Sequence, residues 1–270
     1  MKRLTRCAVC LVVTLVLAAP FAYAGGGPTG TPGKKKKKKQ QEAAAAQDPL
    51  YSLTLMRQGS VLMRQGRFEE ALKSFENADS IAPGNATVQN MQGLCHMRLG
   101  QYDQALAAFD RALAIVPGYT DARNNRGATY LATGQYHLAE VDFIAVLGDS
   151  TYEHRKQVYY NLGMTYLQQD EPGAAGENFR RAVILPNPVF EAYLRLSDLA
   201  QRNGETDLSL EYLEEARLNF PERTEVSLEL GKVLLLMGRD NEAKKHLEHV
   251  IESAPGSSSA DTARSLLSAI

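Results

Sequence analysis

The chain has 270 residues, of which 44% are hydrophobic, with 30 Lys and Arg against 31 Asp and Glu. This apolar fraction is ample for a buried core and argues against a chain that is disordered throughout. The near-zero net charge argues against a dedicated nucleic-acid-binding protein, whose folded part would carry a strong basic excess. Residues 50–270 hold 21 basic against 29 acidic residues, a net charge of −8, so a basic arm precedes an acidic body.

Residues 1–24 are predicted to be a signal peptide. A basic start at Met1–Arg6 is followed by an apolar run at Cys7–Ala19 and by small residues at Ala22–Ala24, the features that a signal peptidase recognises. We predict export with cleavage after Ala24, and an uncleaved N-terminal anchor is the alternative. No Cys stands at the far end of the apolar run, so no lipid attachment site is predicted.

Residues 25–49 are predicted to be a disordered linker. They are rich in Gly and Pro and contain six consecutive lysines, which repel one another and keep the chain extended. One interpretation is a solvated spacer. The other is an electrostatic tether to an anionic membrane or wall, since each Lys contributes about 1 kcal/mol near such a surface. The six lysines are Lys34, Lys35, Lys36, Lys37, Lys38 and Lys39.

From residue 52 onward the sequence repeats with a period of about 34 residues. A small residue recurs at Gly59, Gly93, Gly127, Gly163, Ser197 and Gly231. A second small residue follows twelve positions later, and a large apolar residue follows four positions after that: Ala71 with Phe75, Ala105 with Phe109, Ala139 with Phe143, Ala175 with Phe179, Ser209 with Leu213, and Ala243 with Leu247. Apolar residues recur at spacings of three and four, which predicts two amphipathic helices in each unit.

This pattern resembles the tetratricopeptide repeat family over residues 52–257. The resemblance implies an all-α fold, a right-handed α-solenoid of six helix-turn-helix units, in which residues 258–270 form a helix that caps the last open face. Within the array at residues 50–257, the units are predicted near 52–85, 86–119, 120–155, 156–189, 190–223 and 224–257. Two extra residues between the third and fourth units predict a distortion at residues 148–152.

Catalytic and metal-binding patterns are weak in this chain. His246 and His249 stand three residues apart on a predicted helix, but no third or fourth ligand accompanies them, and a solvated helix face is expected. Cys95 lies in the middle of a predicted first helix and is expected to be a buried, inert thiol. We therefore predict that the protein is not an enzyme and binds no metal, cofactor, nucleic acid or small-molecule substrate.

The resemblance implies that the first helix of each unit lines a concave groove that binds a partner protein. The candidate groove residues follow from the repeat register and are Met56, Ser60, Asn90, Met91, Leu94, Asn124, Asn125, Tyr160, Asn161, Met164, Arg195 and Asp198. Flexible thioethers suit an adaptable apolar surface, although Met in these helices can also serve only to fill packing. The Asn amides both donate and accept, as required to hold an extended peptide backbone.

Export together with six units resembles the exported tetratricopeptide proteins that assemble the secretin of type IV pili. We therefore predict a non-catalytic scaffold in the periplasm, associated with the outer membrane, that binds a segment of an envelope protein such as an outer-membrane secretin. Two alternatives stay open. One is an adaptor for peptidoglycan enzymes, and the other is a scaffold held at the wall or membrane surface by its Lys run.

Overall fold

The computed structural model describes residues 49–270, and the predicted signal peptide and nearly all of the predicted linker lie outside this range. The described part consists of thirteen helices and contains no strand. The helices are α1 (Pro49–Arg64), α2 (Phe68–Ile81), α3 (Ala86–Arg98), α4 (Tyr102–Ile115), α5 (Thr120–Ala132), α6 (Tyr136–Leu147), α7 (Arg155–Gln168), α8 (Pro172–Ile184), α9 (Phe190–Arg202), α10 (Thr206–Asn219), α11 (Thr224–Leu236), α12 (Asp240–Ser253) and α13 (Ser258–Leu267).

The helices form six consecutive pairs followed by a single helix, which confirms the predicted all-α solenoid. Each helix packs against the next one along the chain, from α1 through to α13. The last helix also contacts α11, and its Ala263 joins a buried cluster with Leu228 and Leu247. The array thus ends on a helix that covers its final hydrophobic face, as an array of this kind requires.

The turn inside each unit ends the first helix in the left-handed backbone region. Gly66 has φ 76°, and glycines hold the same place in four other units. Glycine adopts this conformation without the steric cost that a Cβ imposes. The fourth unit has Asp170 there instead, with φ 59°. This exception falls in the turn Gln169–Gly173, which has no glycine at this position.

Close contact between the two helices of a unit explains the repeating small and large residues. At Gly93, an added Cβ would lie 2.5 Å from a ring carbon of Phe109, which is fully buried. The corresponding Gly–Phe contact recurs in the first, third and fourth units. In the fifth unit Ser197 takes the glycine position, and its hydroxyl lies 2.8 Å from the hydroxyl of Ser209. This unit therefore has a polar contact between its two helices, and Leu213 stands where the first four units have Phe.

The loop between the third and fourth units is anchored to the start of α5. Thr120 Oγ1 donates a hydrogen bond to Asp149 Oδ2 at 3.0 Å, and the Tyr152 hydroxyl donates to Asp121 Oδ1 at 3.0 Å. The backbone N–H of Thr151 donates to Asp149 Oδ1. The extra residues are therefore held by side-chain hydrogen bonds in place of a closing proline.

The first helices form the inner side of the array. The first helices of adjacent units contact each other, α3 with α5 and α5 with α7. Within residues 49–270, no two second helices are in comparable contact. The first helices α3, α5 and α7 thus approach one another more closely than the second helices do, as the inner side of a curved stack requires.

Candidate protein-binding groove

The candidate groove residues lie on the first helices α1, α3, α5, α7 and α9. Asn90 is buried, with 3% of its surface exposed, and Arg195 is exposed. The remaining ten are partly buried, so part of each side chain packs within the protein while part stays accessible: Met56, Ser60, Met91, Leu94, Asn124, Asn125, Tyr160, Asn161, Met164 and Asp198.

The methionines of these helices contribute to packing and remain partly exposed. Met56 and Met91 pack against the core cluster that contains Phe75. Met164 packs against the cluster that contains Phe179, and the Tyr160 ring lies 5.7 Å from the Phe179 ring. Since these residues fill space on one side, their exposed portions rest on a rigid base. A thioether on such a base adapts its shape to an apolar partner at little cost.

The asparagines divide into a structural pair and a free amide. Asn125 Nδ2 donates to Asn90 Oδ1 at 3.0 Å, and Asn90 Nδ2 lies 3.5 Å from the Tyr119 hydroxyl. This chain of bonds links α3 to α5 across two units and uses the amide of Asn90 within the protein. Among the described residues the Asn161 side chain has no hydrogen-bond partner, and Asn124 Oδ1 is buried without a donor. The unused hydrogen-bonding capacity therefore lies with the side chains of Asn161 and Asn124 and with the acceptor oxygen of Asn125.

The groove changes toward the C-terminus, where it carries charged residues: Arg195 is exposed, and other charges are paired on their own helices. Arg202 lies 2.8 Å from Asp198 on α9, and Lys232 lies 2.7 Å from Glu229 on α11. Both pairs are partly exposed, and pairs of this kind contribute little to stability.

An ion-pair network centred on Arg126 joins the second and third units, and the sequence reasoning did not identify it. Arg126 on α5 donates two hydrogen bonds to Asp142 on α6, at 2.8 and 2.7 Å, and a third to Asp110 on α4 at 2.7 Å. Asp142 is only 2% exposed, and the guanidinium of Arg126 lies 5.8 Å from the centre of the Tyr130 ring. The hydrogen bonds from Arg126 to Asp142 raise the pKa of Arg126, whereas its partial burial opposes this rise.

Comparison of equivalent repeat positions reveals the sequence signal for this network. Arg126 and Asp142 stand sixteen residues apart. The equivalent positions of the fourth unit carry an uncharged pair, Leu162 and Asn178. Opposite charges at these two positions, which face each other across α5 and α6, are the sequence signal of the ion pair. A buried carboxylate is tolerated only when it is paired and hydrogen-bonded in this way.

The groups considered for chemistry occupy structural positions. Cys95 is fully buried, which confirms the predicted burial, and burial raises the pKa of its thiol to about 11, which disfavours the reactive thiolate. His246 is partly buried, and this burial lowers its pKa, as do the nearby charges of Arg217 and His249. Within residues 49–270 no three His, Cys, Asp or Glu side chains are grouped as metal ligands. In the same range no helix is both long and apolar enough to cross a membrane.

Three family models, each described as "Tetratricopeptide repeat", match the chain in succession. One matches residues 40–86, 56–120 and 90–151, the second matches residues 156–185, and the third matches residues 200–267. No curated protein sequence gives a significant match.

Solved structures with similar folds include proteins of type IV pilus biogenesis. The structure described as pilF of Pseudomonas aeruginosa has a TM-score of 0.67 at 19% identity, over 79% of this chain and 96% of that chain. PilW, described as a widely conserved type IV pilus biogenesis factor, has a TM-score of 0.68 at 20% identity, over 78% of this chain and 97% of that chain. A repeat protein from Parabacteroides merdae has a TM-score of 0.58 at 21% identity, over 86% of this chain and 88% of that chain.

The family models, the six packed helix pairs and these structural likenesses all indicate the same helical repeat fold. Tetratricopeptide arrays are generally non-catalytic scaffolds, and the fold implies protein partners. The chain belongs to the tetratricopeptide repeat family.

Proposed function

We propose that this protein is a non-catalytic scaffold of the cell envelope that holds a segment of another envelope protein against its first helices. The observation that carries the proposal is the row of partly exposed amide and thioether side chains along α3, α5 and α7, at Met91, Asn125, Asn161 and Met164. The apolar side chains are rigidly supported by the core, and the free amide capacity lies beside them. The location rests on the signal peptide predicted at residues 1–24.

The geometry supports binding of an extended segment with little demand on its sequence. Asn161 offers a donor and an acceptor, and Asn125 offers an acceptor oxygen, each to the backbone of a bound peptide. Met91, Leu94 and Met164 offer apolar surface to its side chains. Backbone hydrogen bonds supply affinity in such recognition, while adaptable thioethers accommodate different side chains.

The finer proposal is that the partner is an outer-membrane secretin of a type IV pilus. It is supported by the likeness to pilF and PilW, which covers 96% and 97% of those proteins and 79% and 78% of this chain. At 19% and 20% identity that likeness concerns the fold, so the partner has to be established by experiment.

A deletion strain of the native host tests the secretin proposal. We expect loss of secretin multimers on deletion, restoration by the wild-type gene, and reduced restoration by Asn161→Ala combined with Met164→Ala. The matched control is Glu211→Ala, an exposed position on the second helix α10, which should restore fully. Unchanged multimers in the deletion strain would refute the secretin role.

Affinity recovery distinguishes the general proposal of an envelope scaffold from the specific proposal of a secretin partner. The protein, tagged after Ile270, is cross-linked in the native host and recovered with its partners. Recovery of a secretin or of pilus subunits supports pilus assembly. Recovery of peptidoglycan enzymes retires the pilus proposal and keeps the scaffold.

We also propose that Lys34–Lys39 tether the protein to an anionic membrane or wall surface, in place of a lipid anchor. Electrostatic attachment weakens as salt screens the charges. Deletion of residues 33–40, or high salt, should therefore release the protein from the membrane and wall fractions. Unchanged fractionation after the deletion would refute the tether.

A further inference from the structure

The outer face of α6 differs from the outer faces of the other five second helices. Leu138, Val141 and Ile144 stand at three successive outward positions of this helix. The equivalent positions elsewhere carry Glu70, Lys73 and Glu76; Gln104, Ala107 and Asp110; Ala174, Glu177 and Arg180; Leu208, Glu211 and Glu214; and Glu242, Lys245 and Glu248. Every other unit places at least one charged residue there, and the third unit places none.

The three apolar side chains of α6 are accessible. Leu138 is 44% exposed, and Val141 and Ile144 are each 51% exposed. A single exposed apolar residue is ordinary on a protein surface. Three on one helix face, at positions where every other unit places at least one charge, form an apolar stripe that lacks a covering partner among residues 49–270.

The stripe is complementary to itself. Its members are spaced three residues apart with Val141 at the centre, so they follow one face of the helix. When two copies of α6 pack antiparallel about a two-fold axis, Val141 meets Val141 of the second copy, and Leu138 meets its Ile144. A two-fold interface uses the same patch on both molecules, and this patch satisfies that requirement.

Charge also favours a second copy at this face. Residues 50–270 carry a net charge of −8, so two copies repel each other wherever carboxylates face outward. The outer faces of the other five second helices all present an exposed carboxylate. On α6, Glu140 accepts hydrogen bonds from Tyr166 and Gln169, and Asp142 is buried against Arg126. Ala107, exposed on the neighbouring α4, extends the uncharged surface.

We propose that the outer face of α6 is a self-association surface through which two copies of this chain form a weak two-fold dimer. Stable complexes bury at least about 1,200 Å² in total, and a contact centred on three half-exposed side chains falls short of that area. The dimer is therefore concentration-dependent, and it leaves the inner surface of the first helices free to bind another protein.

Sedimentation velocity of the purified full chain tests the dimer. Between about 1 μM and about 1 mM we expect a reversible shift from monomer toward dimer. Val141→Lys should abolish the shift. Glu211→Lys, which places a lysine at the equivalent position of α10, should leave the shift unchanged or strengthen it. A monomer at every concentration, or an equal shift in Val141→Lys, would overturn the proposal. If Val141→Lys instead removes a different envelope protein from the cross-linked complex, the face serves that protein and self-association is wrong.

Disulfide trapping provides a second measurement that does not depend on the strength of the dimer. In a background with Cys7→Ser and Cys10→Ser, Val141→Cys introduces an exposed thiol, while Cys95 stays buried and protonated. Mild oxidation should link two copies through residue 141. The control Glu211→Cys should link far more slowly. Equal rates for the two variants would contradict the two-fold arrangement.

Discussion

The inner surface has two different parts along the array. In the second to fourth units it carries amides and thioethers, and hydrogen bonds between neighbouring units fix some of these side chains, as Asn125 does with Asn90. In the fifth and sixth units it carries charged residues, of which Asp198 with Arg202 and Glu229 with Lys232 are paired on their own helices, whereas Arg195 is exposed. Both parts have the same helical framework.

This difference shows which polar groups are available to a partner. A charge already paired on its own helix has to lose that pairing before it binds anything else, whereas the amide of Asn161 has no partner to lose among the described residues. The hydrogen-bonding capacity of neutral amides is therefore concentrated in the third and fourth units, and Arg195 is an exposed charge of the fifth. The second and third units also contain the network around Arg126, which pairs with the buried Asp142 inside the third unit and with the exposed Asp110 of the second.

The largest expected effect follows from breaking that network. Arg126→Leu removes both hydrogen bonds from Arg126 to the buried carboxylate of Asp142 and leaves only Arg123, 3.9 Å away, so it should lower the free energy of unfolding by up to about 3–5 kcal/mol, measured by urea denaturation. Adding Asp142→Asn copies the Leu162 and Asn178 pair of the fourth unit and should recover most of the loss.

The matched change in the fifth unit is Asp198→Ala, which removes an exposed pair and should cost no more than about 1 kcal/mol. Equal losses for Arg126→Leu and Asp198→Ala would remove the energetic contrast between the two parts of the array.

The contact between the two helices of a unit provides the next effect. Gly93→Ala places a Cβ 2.5 Å from the Phe109 ring and should destabilise by about 1–3 kcal/mol. Ser197→Ala in the fifth unit removes only the hydroxyl bonded to Ser209, at a cost of about 0.5–1.5 kcal/mol. Thermal denaturation of both variants measures the ranking, and a more stable Gly93→Ala protein would show that the ring moves aside.

Asparagine substitutions separate binding from stability. Asn161→Ala should change stability by less than about 0.5 kcal/mol, since its amide has no partner among the described residues. Asn125→Ala removes the bond to Asn90 and should cost about 1 kcal/mol. Together they should weaken capture of the partner about tenfold, measured against the identified partner segment. Loss of helical signal in the double variant would instead make both residues structural.

The smallest effect is a pH dependence at α12. The pKa of His246 is lower in the folded chain than in an unfolded chain, so the folded state binds this proton less readily. The resulting stability is present above the unfolded pKa of about 6.5 and is lost as the pH falls through that range. Urea denaturation at about pH 8 and about pH 5 measures it. His246→Gln should reduce the pH dependence, and an unchanged difference would assign it to other groups.

The repeat pattern was sufficient to predict the helix pairs and the burial of Cys95. Each depends on local spacing or on a contact that recurs in every unit, such as Gly93 with Phe109. The links from Asn125 to Asn90 and from Arg126 to Asp142 were not predicted. They join residues 35 and 16 positions apart, and they depend on side-chain orientations set by the packing of particular helices. The repeat register predicted which residues lie on the first helices. It did not distinguish Asn90, whose amide is hydrogen-bonded within the protein, from Asn161, whose amide has no partner among the described residues.

Site-specific photo-cross-linking in the native host tests the central claim most directly. A photoreactive amino acid replaces Asn161 on the first helix α7 in one strain and Glu211 on the second helix α10 in another. We predict a discrete adduct with one envelope protein from position 161 and none with that protein from position 211. Equal adducts from both positions, or adducts from position 211 alone, would contradict binding at the inner surface.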